Sequence, residues 1–389
     1  MIVERIQAAL SEHQLDGWLF FDHHRRDPLA YRILRIPDEV EATRRWYFFV
    51  PAQGSPRKLV HRIENGALDT LPGQKDAYAS WPDQQSKLQE ILSGNQRIAM
   101  QYSPHCAIPY VSLVDGGTLE LVRQCGVDIV SSADLIQEFE ACWTQEQLDL
   151  HLQAGRLVDQ IRGEAFDLIR ERLRSATRVS EYEVQQFILH RFAQHDLKTN
   201  HGPIVAANAN ASDPHYEPTS ERNSEVQQND VVLIDLWAKR NQPQAVYYDV
   251  TWTGFCGETI PHNVQTVFET VRDARKKACQ FVIDRIRKLQ STAGWEVDDV
   301  AREYIASQGY GDFFFHRTGH SIGTDVHGTG ANMDNLESHD ERRIIANTCF
   351  SIEPGIYLPE FGIRSEVNVF VGQGFAQVTG AEQEQLIRI

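Results

Sequence analysis

Two apolar runs in the second half of the chain each carry one carboxylate, and this constrains the fold more than any other feature. Val231–Leu236 reads Val-Val-Leu-Ile-Asp-Leu, with Asp235 inside it, and Val246–Thr251 reads Val-Tyr-Tyr-Asp-Val-Thr, with Asp249 inside it. Both have the composition of buried strands. A carboxylate inside such a strand is expensive unless it is paired or bound to metal. A single Asp of this kind could cap a turn. Two of them, joined by a connection short enough for a hairpin, can be set on neighbouring positions of paired strands.

The pattern returns later in the chain. Phe350–Ile356 sets Glu353 at the end of a strand, and Gly362–Val369 sets Glu366 at the start of another. His320 lies between the two sets, in Thr318-Gly319-His320-Ser321-Ile322-Gly323. Two Asp, one His and two Glu held by strands can enclose two divalent cations. Oxygen ligands with one imidazole suit manganese, iron, cobalt or zinc. Bridging carboxylates would hold the ions roughly 3.5–4 Å apart. The six cysteines are scattered, with no CxxC pair, which argues against a thiolate zinc site and a disulfide framework.

The rest of the chain supplies the scaffold. At 389 residues it is long enough for two domains. Residues 1–143 alternate helical and strand-like segments: an amphipathic helix at the start, strands at Gly17–Phe21 and Trp46–Val50, and a weaker one at Arg97–Tyr102. This predicts an α/β domain. Residues 145–174 then form one long helical pattern, with Thr144 and Gln147 spaced as a capping box, and a second helix follows at 180–194 behind Ser180 and Glu183. Strands are expected at Val231–Trp237, Val246–Thr253, Cys349–Tyr357 and Val367–Val371, and helices near 264–290 and 296–308. The domain boundary is placed at 143/144. The net charge of −16 suits solubility and argues against a nucleic-acid partner. No apolar run is long enough for a membrane span and the first residues do not read as a signal peptide, so a cytoplasmic protein is expected.

These residues, in this order and each in its local motif, resemble the metallopeptidases of the pita-bread fold, family M24, and among them prolidase and aminopeptidase P. The resemblance implies an α+β chain: a pita-bread catalytic domain over 144–389 and a smaller creatinase-like α/β domain over 1–143. It implies a site with two divalent metal ions, manganese first, with cobalt, zinc or iron as alternatives. Asp235 would bind one metal, Asp249 and Glu366 would bridge both, and His320 and Glu353 would bind the second. Glu353 would also move the proton. His215 and His327 match two histidines that hydrogen-bond the substrate carbonyl and the developing oxyanion, and Arg364 matches an arginine that supports the site by charge pairing. The implied reaction is hydrolysis of a peptide bond near a free N-terminus, most often Xaa-Pro, in a small proline-containing peptide, by a homodimer. His316 is read either as a wall of the pocket or as a structural residue. Arg25 and Arg26, in His23-His24-Arg25-Arg26, are read either as a solvated loop or as contacts to a substrate carboxylate.

The pattern also has departures. Prolidase and aminopeptidase P usually carry His-Glu-x-Pro where this chain has His327-Gly328-Thr329-Gly330, and the arginine common after the second Asp is replaced in Thr251-Trp252-Thr253. Val367 stands where an Asp usually follows the last Glu. Two alternatives therefore stay open: the same metal site acting on a non-peptide substrate, as an amide hydrolase or a lyase, and a metal-free, creatinase-like or binding member. Gly319–Gly323 also fits G-x-S-x-G, with Ser321 as a nucleophile, but the following residues carry no helical pattern. His316 and His320 have i, i+4 spacing, yet Arg317 stands where a helical zinc motif needs Glu.

Overall fold

The computed structural model describes residues 2–389, in two compact units that meet in sequence between Glu140 and Ala141.

The first unit is a three-layer α/β structure. In chain order it has α1 (Ile2–Glu12), β1 (Gly17–Asp22), α2 (Pro28–Leu34), β2 (Trp46–Pro51), β3 (Arg57–His61), β4 (Gln74–Tyr78), α3 (Trp81–Leu92), β5 (Arg97–Met100), α4 (Gly116–Gln124), β6 (Asp128–Ser131) and α5 (Ala133–Ile136). The sheet order is β4-β3-β2-β1-β5-β6. β1 is buried on both faces, and the period of two explains how. Trp18 and Phe20 point into one core with Leu29 and Ile33 of α2, while Leu19 and Phe21 point into the other with Leu88 of α3 and Val122 of α4. β2 repeats the division, with Trp46 and Phe48 on one side and Tyr47 and Phe49 on the other.

The second unit opens with α6 (Gln145–Arg174) and α7 (Glu181–Gln194). Both capping boxes are formed, Thr144 with Gln147 and Ser180 with Glu183. There follow β7 (Leu197–Lys198), β8 (Ile204–Ala207), β9 (Val231–Arg240), β10 (Tyr248–Phe255), α8 (His262–Arg287), α9 (Gly294–Ser307), β11 (Ser321–Ile322), β12 (Thr348–Ile352), β13 (Gly355–Tyr357), β14 (Gly362–Arg364), β15 (Val367–Gly372), β16 (Phe375–Thr379) and β17 (Ile387–Arg388). β17-β10-β9-β7 form one sheet, with β8 also on β9, and β11-β12-β15-β16 form another. Each sheet lays one face on a helix pair. Val232, Ile234 and Leu236 of β9 pack with Val158 and Ile161 of α6, and Ile352 and Val369 pack with Phe268 and Val271 of α8.

The expected strand Cys349–Tyr357 is two strands, β12 and β13. Pro354 has no N–H to extend a ladder, and the Glu353 N–H leaves the strand to bond the Thr318 carbonyl at 2.7 Å. The break is what turns Glu353 out of the sheet. All six cysteines are free thiols, and among the described residues no helix is long and apolar enough to cross a membrane.

Candidate metal centre

Strand period places the first two carboxylates. The even residues of β9 face α6, so the odd ones, including Asp235 and Trp237, face the other way. In the β9–β10 hairpin Asp235 lies opposite Thr251 and Trp237 opposite Asp249. Asp235, Asp249 and Thr251 therefore share the face directed away from the helices, and the two Asp are diagonal neighbours, close enough for their side chains to meet.

The second sheet supplies the rest. Ile352 pairs with Val367, so Glu353 and Glu366 stand one step beyond, at the same end of β12 and β15. His320 precedes β11, and its backbone is locked to Ser351: the Ser351 N–H bonds the His320 carbonyl at 2.9 Å and the His320 N–H bonds Ser351 Oγ at 2.9 Å. Gly319 is required there, because a Cβ would stand 1.9 Å from the Ser351 carbonyl oxygen. Asn368 of β15 ties the two sheets together, with its Oδ1 accepting from the Asp249 N–H at 3.0 Å and its Nδ2 donating to the Asp249 carbonyl at 2.5 Å.

The side chains converge. His320 Nε2 lies 3.6 Å from Asp249 Oδ2 and 3.3 Å from Glu353 Oε1. One donor atom each from Asp249, His320 and Glu366 falls within 4.8 Å of the others. Arg364 Nη2 donates to Asp235 Oδ2 at 2.5 Å, and its Nε lies 3.8 Å from Glu353 Oε2. Thr251 Oγ1 accepts from Arg364 Nε at 3.0 Å and donates to Glu366 Oε2 at 2.9 Å. Three carboxylate oxygens, Asp235 Oδ1, Asp249 Oδ1 and Glu366 Oε1, are buried without a hydrogen-bond partner. Such an oxygen costs a protein dearly, and three in one cluster fit the coordination of a cation.

The electrostatics describe the same cluster. Burial pushes the Asp249 carboxyl up to about 7. Burial, then the neighbouring charges of Asp249, Glu353 and Asp235, pushes Glu366 well above the carboxylate range. Burial also raises Asp235, and the Arg364 guanidinium beside it pulls it back; at 2.5 Å the two form an ion pair. Burial acts to raise Glu353 too, but the charges of His320, His316 and Arg364 outweigh it, so it is held low. His320 is raised, its burial outweighed by Asp249 and Glu353.

His327 stacks edge-on against His320, with ring centroids 4.4 Å apart. The His320 charge, followed by burial, drives the His327 imidazole down, and His215 adds to that effect. His215 is exposed, with its backbone N–H on Asp213 Oδ1 at 3.0 Å. His316 is held by Tyr357: its Nε2 lies 2.7 Å from the Tyr357 hydroxyl, which also accepts from Arg364 Nη1 at 3.0 Å. Burial lowers His316 to about 4. Ser321 is not a nucleophile at an elbow. It sits in β11, its Oγ accepts the Gly330 N–H at 3.0 Å, and no helix follows.

A model of metallopeptidase family M24 matches residues 149–373. The chain belongs to that family. It is 30% identical over 254 residues to an Xaa-Pro dipeptidase of Lactobacillus delbrueckii subsp. lactis, a match that covers 65% of this chain and 63% of that protein. The chain thus spans less than two thirds of the length of that curated relative. Among solved structures, a dipeptidase PepE from Mycobacterium ulcerans aligns over 100% of this chain and 97% of its own, at 22% identity and TM-score 0.71. A dipeptidase from Pyrococcus horikoshii OT3 aligns over 100% of both chains, at 24% identity and TM-score 0.64. The α+β pita-bread fold expected for an M24 chain is therefore the fold it has.

Arg25 and Arg26 belong to the first unit. The Arg25 guanidinium pairs with Asp38 at 3.0 Å, bonds the Val40 carbonyl at 2.9 Å and lies over the Tyr31 ring at 4.2 Å. Arg26 is anchored through its backbone N–H on Asp22 Oδ1 at 2.6 Å, and its side chain is exposed. Three residues that brace the carboxylate cluster were given no site role in the sequence reading: Thr251, Tyr357 and Asn368. Two had a signal. Thr251 is two residues after Asp249 and so shares its face, and Asn368 is a polar residue within the apolar run of β15. Tyr357 had none, because an aromatic residue in a strand reads as core.

Proposed function

We propose that this M24 chain is a metal-dependent hydrolase that cleaves a peptide bond beside a free N-terminus, of the Xaa-Pro dipeptidase or aminopeptidase type. The observation that carries the reading is the cluster of three unpartnered buried carboxylate oxygens beside His320 and Glu353. Asp235, Asp249, His320, Glu353 and Glu366 would hold two divalent ions, manganese first, with cobalt, zinc or iron as alternatives that suit the same oxygen-rich set. Such ions supply a water whose pKa falls from 15.7 toward about 7, and a positive charge for the carbonyl oxygen.

The chain's own residues do the remainder. Glu353 is held ionised by its neighbours and steadied by the Ser351 hydroxyl at 3.1 Å, so it can accept a proton and pass it on. His327 and His215 would donate to the substrate carbonyl and the oxyanion, and removing either donor is expected to cost about 10²–10³ in rate. Arg364 fixes Asp235 and, through Thr251, Glu366. His316 lines the wall through Tyr357. The Xaa-Pro preference rests on the relative at 30% identity, whose name states it. The proposed setting is the cytoplasm, which the free thiols support, and the proposed assembly is a homodimer, tested by light scattering.

A second reading has one observation in its favour. Gly328 and Gly330 follow His327, and a Cβ on either would stand 2.9 or 2.7 Å from Ser321 Oγ. Side chains at these positions would press on Ser321, so the substrate side differs from the usual Glu and Pro and suits a non-peptide amide or a lyase substrate. The test is one assay series. Xaa-Pro dipeptides, longer Xaa-Pro peptides and non-peptide amides are supplied to manganese-loaded protein, with metal content measured alongside. Proline-dependent peptide cleavage that disappears on chelation is expected. Protein that retains no metal, or that turns over only the non-peptide compounds, would overturn the first reading.

A further inference from the structure

One cavity in the first unit holds polar chemistry that the proposed hydrolysis does not use. It encloses about 750 Å³, the size of a small-molecule site. It opens where β1, β3 and β4 end and β2 begins, and the starts of α3 and α4 form another wall. β1, β3, β4, β5 and β6 run in one direction and β2 runs against them. The crevice outside the carboxyl ends of such strands is where open α/β sheets bind ligands.

The lining is cationic in a chain of net charge −16. Arg26, Arg44, Arg45, His23 and His61 face the cavity against one carboxylate, Asp115. Arg44 Nη1 donates to Thr43 Oγ1 at 3.0 Å, and the charges of Arg26 and Arg44 act on Asp115 and Glu64. The nearby acids are already engaged. Asp22 accepts the N–H groups of Arg25, Arg26 and Asp27 and the Tyr31 hydroxyl. Glu64 accepts the N–H groups of Thr43 and Arg44 and the Thr43 hydroxyl. Asp115 accepts the Thr118 N–H at 3.0 Å and its hydroxyl at 2.8 Å, capping α4. The cations also act on one another: burial first, then the charges of His24, Arg26 and Arg45, lower the His23 imidazole, with Asp22 opposing them.

Two further features narrow the ligand. The positive ends of α3 and α4 meet the cavity, and the Gly117 N–H lies in the first turn of α4 beside it; helix starts favour phosphate, as do forked guanidinium groups. Trp81 stands at the rim 67% exposed, with Tyr78 and Leu121 beside the same space. A bare indole of this kind is a flat surface for a ring, and the volume is far larger than an inorganic ion needs.

We propose that this cavity binds a small phosphorylated molecule with a flat ring, of the nucleoside phosphate class, with phosphate on Arg26, Arg44 and Arg45 and the ring on Trp81. Every residue that lines the site belongs to the first unit. AMP, pyrophosphate and citrate are titrated into the full chain by calorimetry, with EDTA present so that no phosphate binds through a metal. AMP is expected to bind with a Kd below about 1 mM, to weaken as salt is raised, and to bind at least tenfold more tightly than citrate. Arg44→Ala and Arg45→Ala should each weaken AMP about tenfold or more, whereas Trp81→Ala should weaken AMP and leave pyrophosphate unchanged. Circular dichroism checks that each variant folds, and Arg44, whose side chain is exposed, carries the test if Arg45→Ala does not. No binding of AMP or pyrophosphate at millimolar concentration, undiminished AMP affinity in Arg44→Ala, or tighter binding of citrate would each overturn the proposal.

Discussion

The two units handle surplus charge in opposite ways. In the second, Asp235, Asp249 and Glu366 are buried, and each keeps one oxygen without a partner. In the first, Arg26 and Arg44 are exposed and Arg45 is half-buried, at the mouth of a cavity. The difference is one of solvation. An exposed guanidinium is already satisfied by water, so its cluster costs little and binds an anion weakly enough to release it. A buried carboxylate has lost its water, so its cluster either takes up protons or holds a cation. The raised Asp249 and Glu366 carboxyls are the proton-holding form of that choice. The first arrangement suits exchange of ligands and the second suits a resident ion.

The comparison breaks most sharply at Asp249. Asp249→Asn keeps the shape and removes the charge. Activity on the best Xaa-Pro substrate is expected to fall by at least about 10³-fold, since the loss of a ligand removes the activated water. Metal at 100 times its Kd should stabilise the native chain by about 2.7 kcal/mol and the variant far less. Metal-free Tm should not fall, because a costly buried acid has been neutralised. Full activity of Asp249→Asn in metal-depleted buffer would end the assignment of the cage.

Arg364 sharpens it next. This guanidinium is buried with Asp235 at 2.5 Å, so it is a counter-charge built into the carboxylate cluster itself. Arg364→Met leaves Asp235 buried without its counter-charge, a change that typically costs about 3–5 kcal/mol. Saturating metal should recover part of that loss by drawing the Asp235 carboxylate into coordination. Calorimetry of the variant with and without manganese reads both terms. An unchanged Tm in the metal-free variant would show that the pair is held for geometry alone.

The legible parts of the sequence were those where one physical rule acts without competition. Asp235, Asp249, Glu353 and Glu366 stood out because a charge inside or at the end of an apolar strand breaks the expected pattern. α6 was bounded to the residue and α7 to within one residue because Thr144–Gln147 and Ser180–Glu183 satisfy helix N-termini locally. The run Cys349–Tyr357 misled because its hydrophobicity is continuous while its hydrogen bonding is not: Pro354 ends the ladder, and only the tertiary partner Thr318 shows where the Glu353 N–H goes. In the first unit β3, β4 and α3 drew no notice. Gln74–Tyr78 carries Lys75 and Asp76 in an edge strand, and its strand character comes from pairing with Arg57–His61. The arginine cavity was invisible for a related reason. Arg26 is separated by 17 intervening residues from Arg44, and only the antiparallel β1–β2 pairing, Asp22 against Trp46, brings them to one edge.

The smallest effect probes the exception in the first unit, a buried acid without a full set of partners. Asp27 caps α2, with Oδ1 accepting the Ala30 N–H at 3.0 Å while Oδ2 is buried and unpartnered. Burial, with the Asp22 charge adding to it and the Ala30 N–H opposing it, raises the carboxyl from 3.8 to about 7. A raised folded value means that folding favours the protonated form. The contribution to stability is complete below about pH 4 and is lost as pH climbs through 7. Asp27→Asn keeps the cap oxygen and cannot ionise. The difference in unfolding free energy between variant and native chain, read by denaturant titration, should therefore move in the variant's favour from pH 5 to pH 8, by on the order of 2 kcal/mol. Other titrations are shared by both proteins and cancel in the difference. A gap that stays flat across that range would mean that Asp27 is already ionised in the fold, and that the first unit, like its exposed arginines, keeps its charges within reach of water.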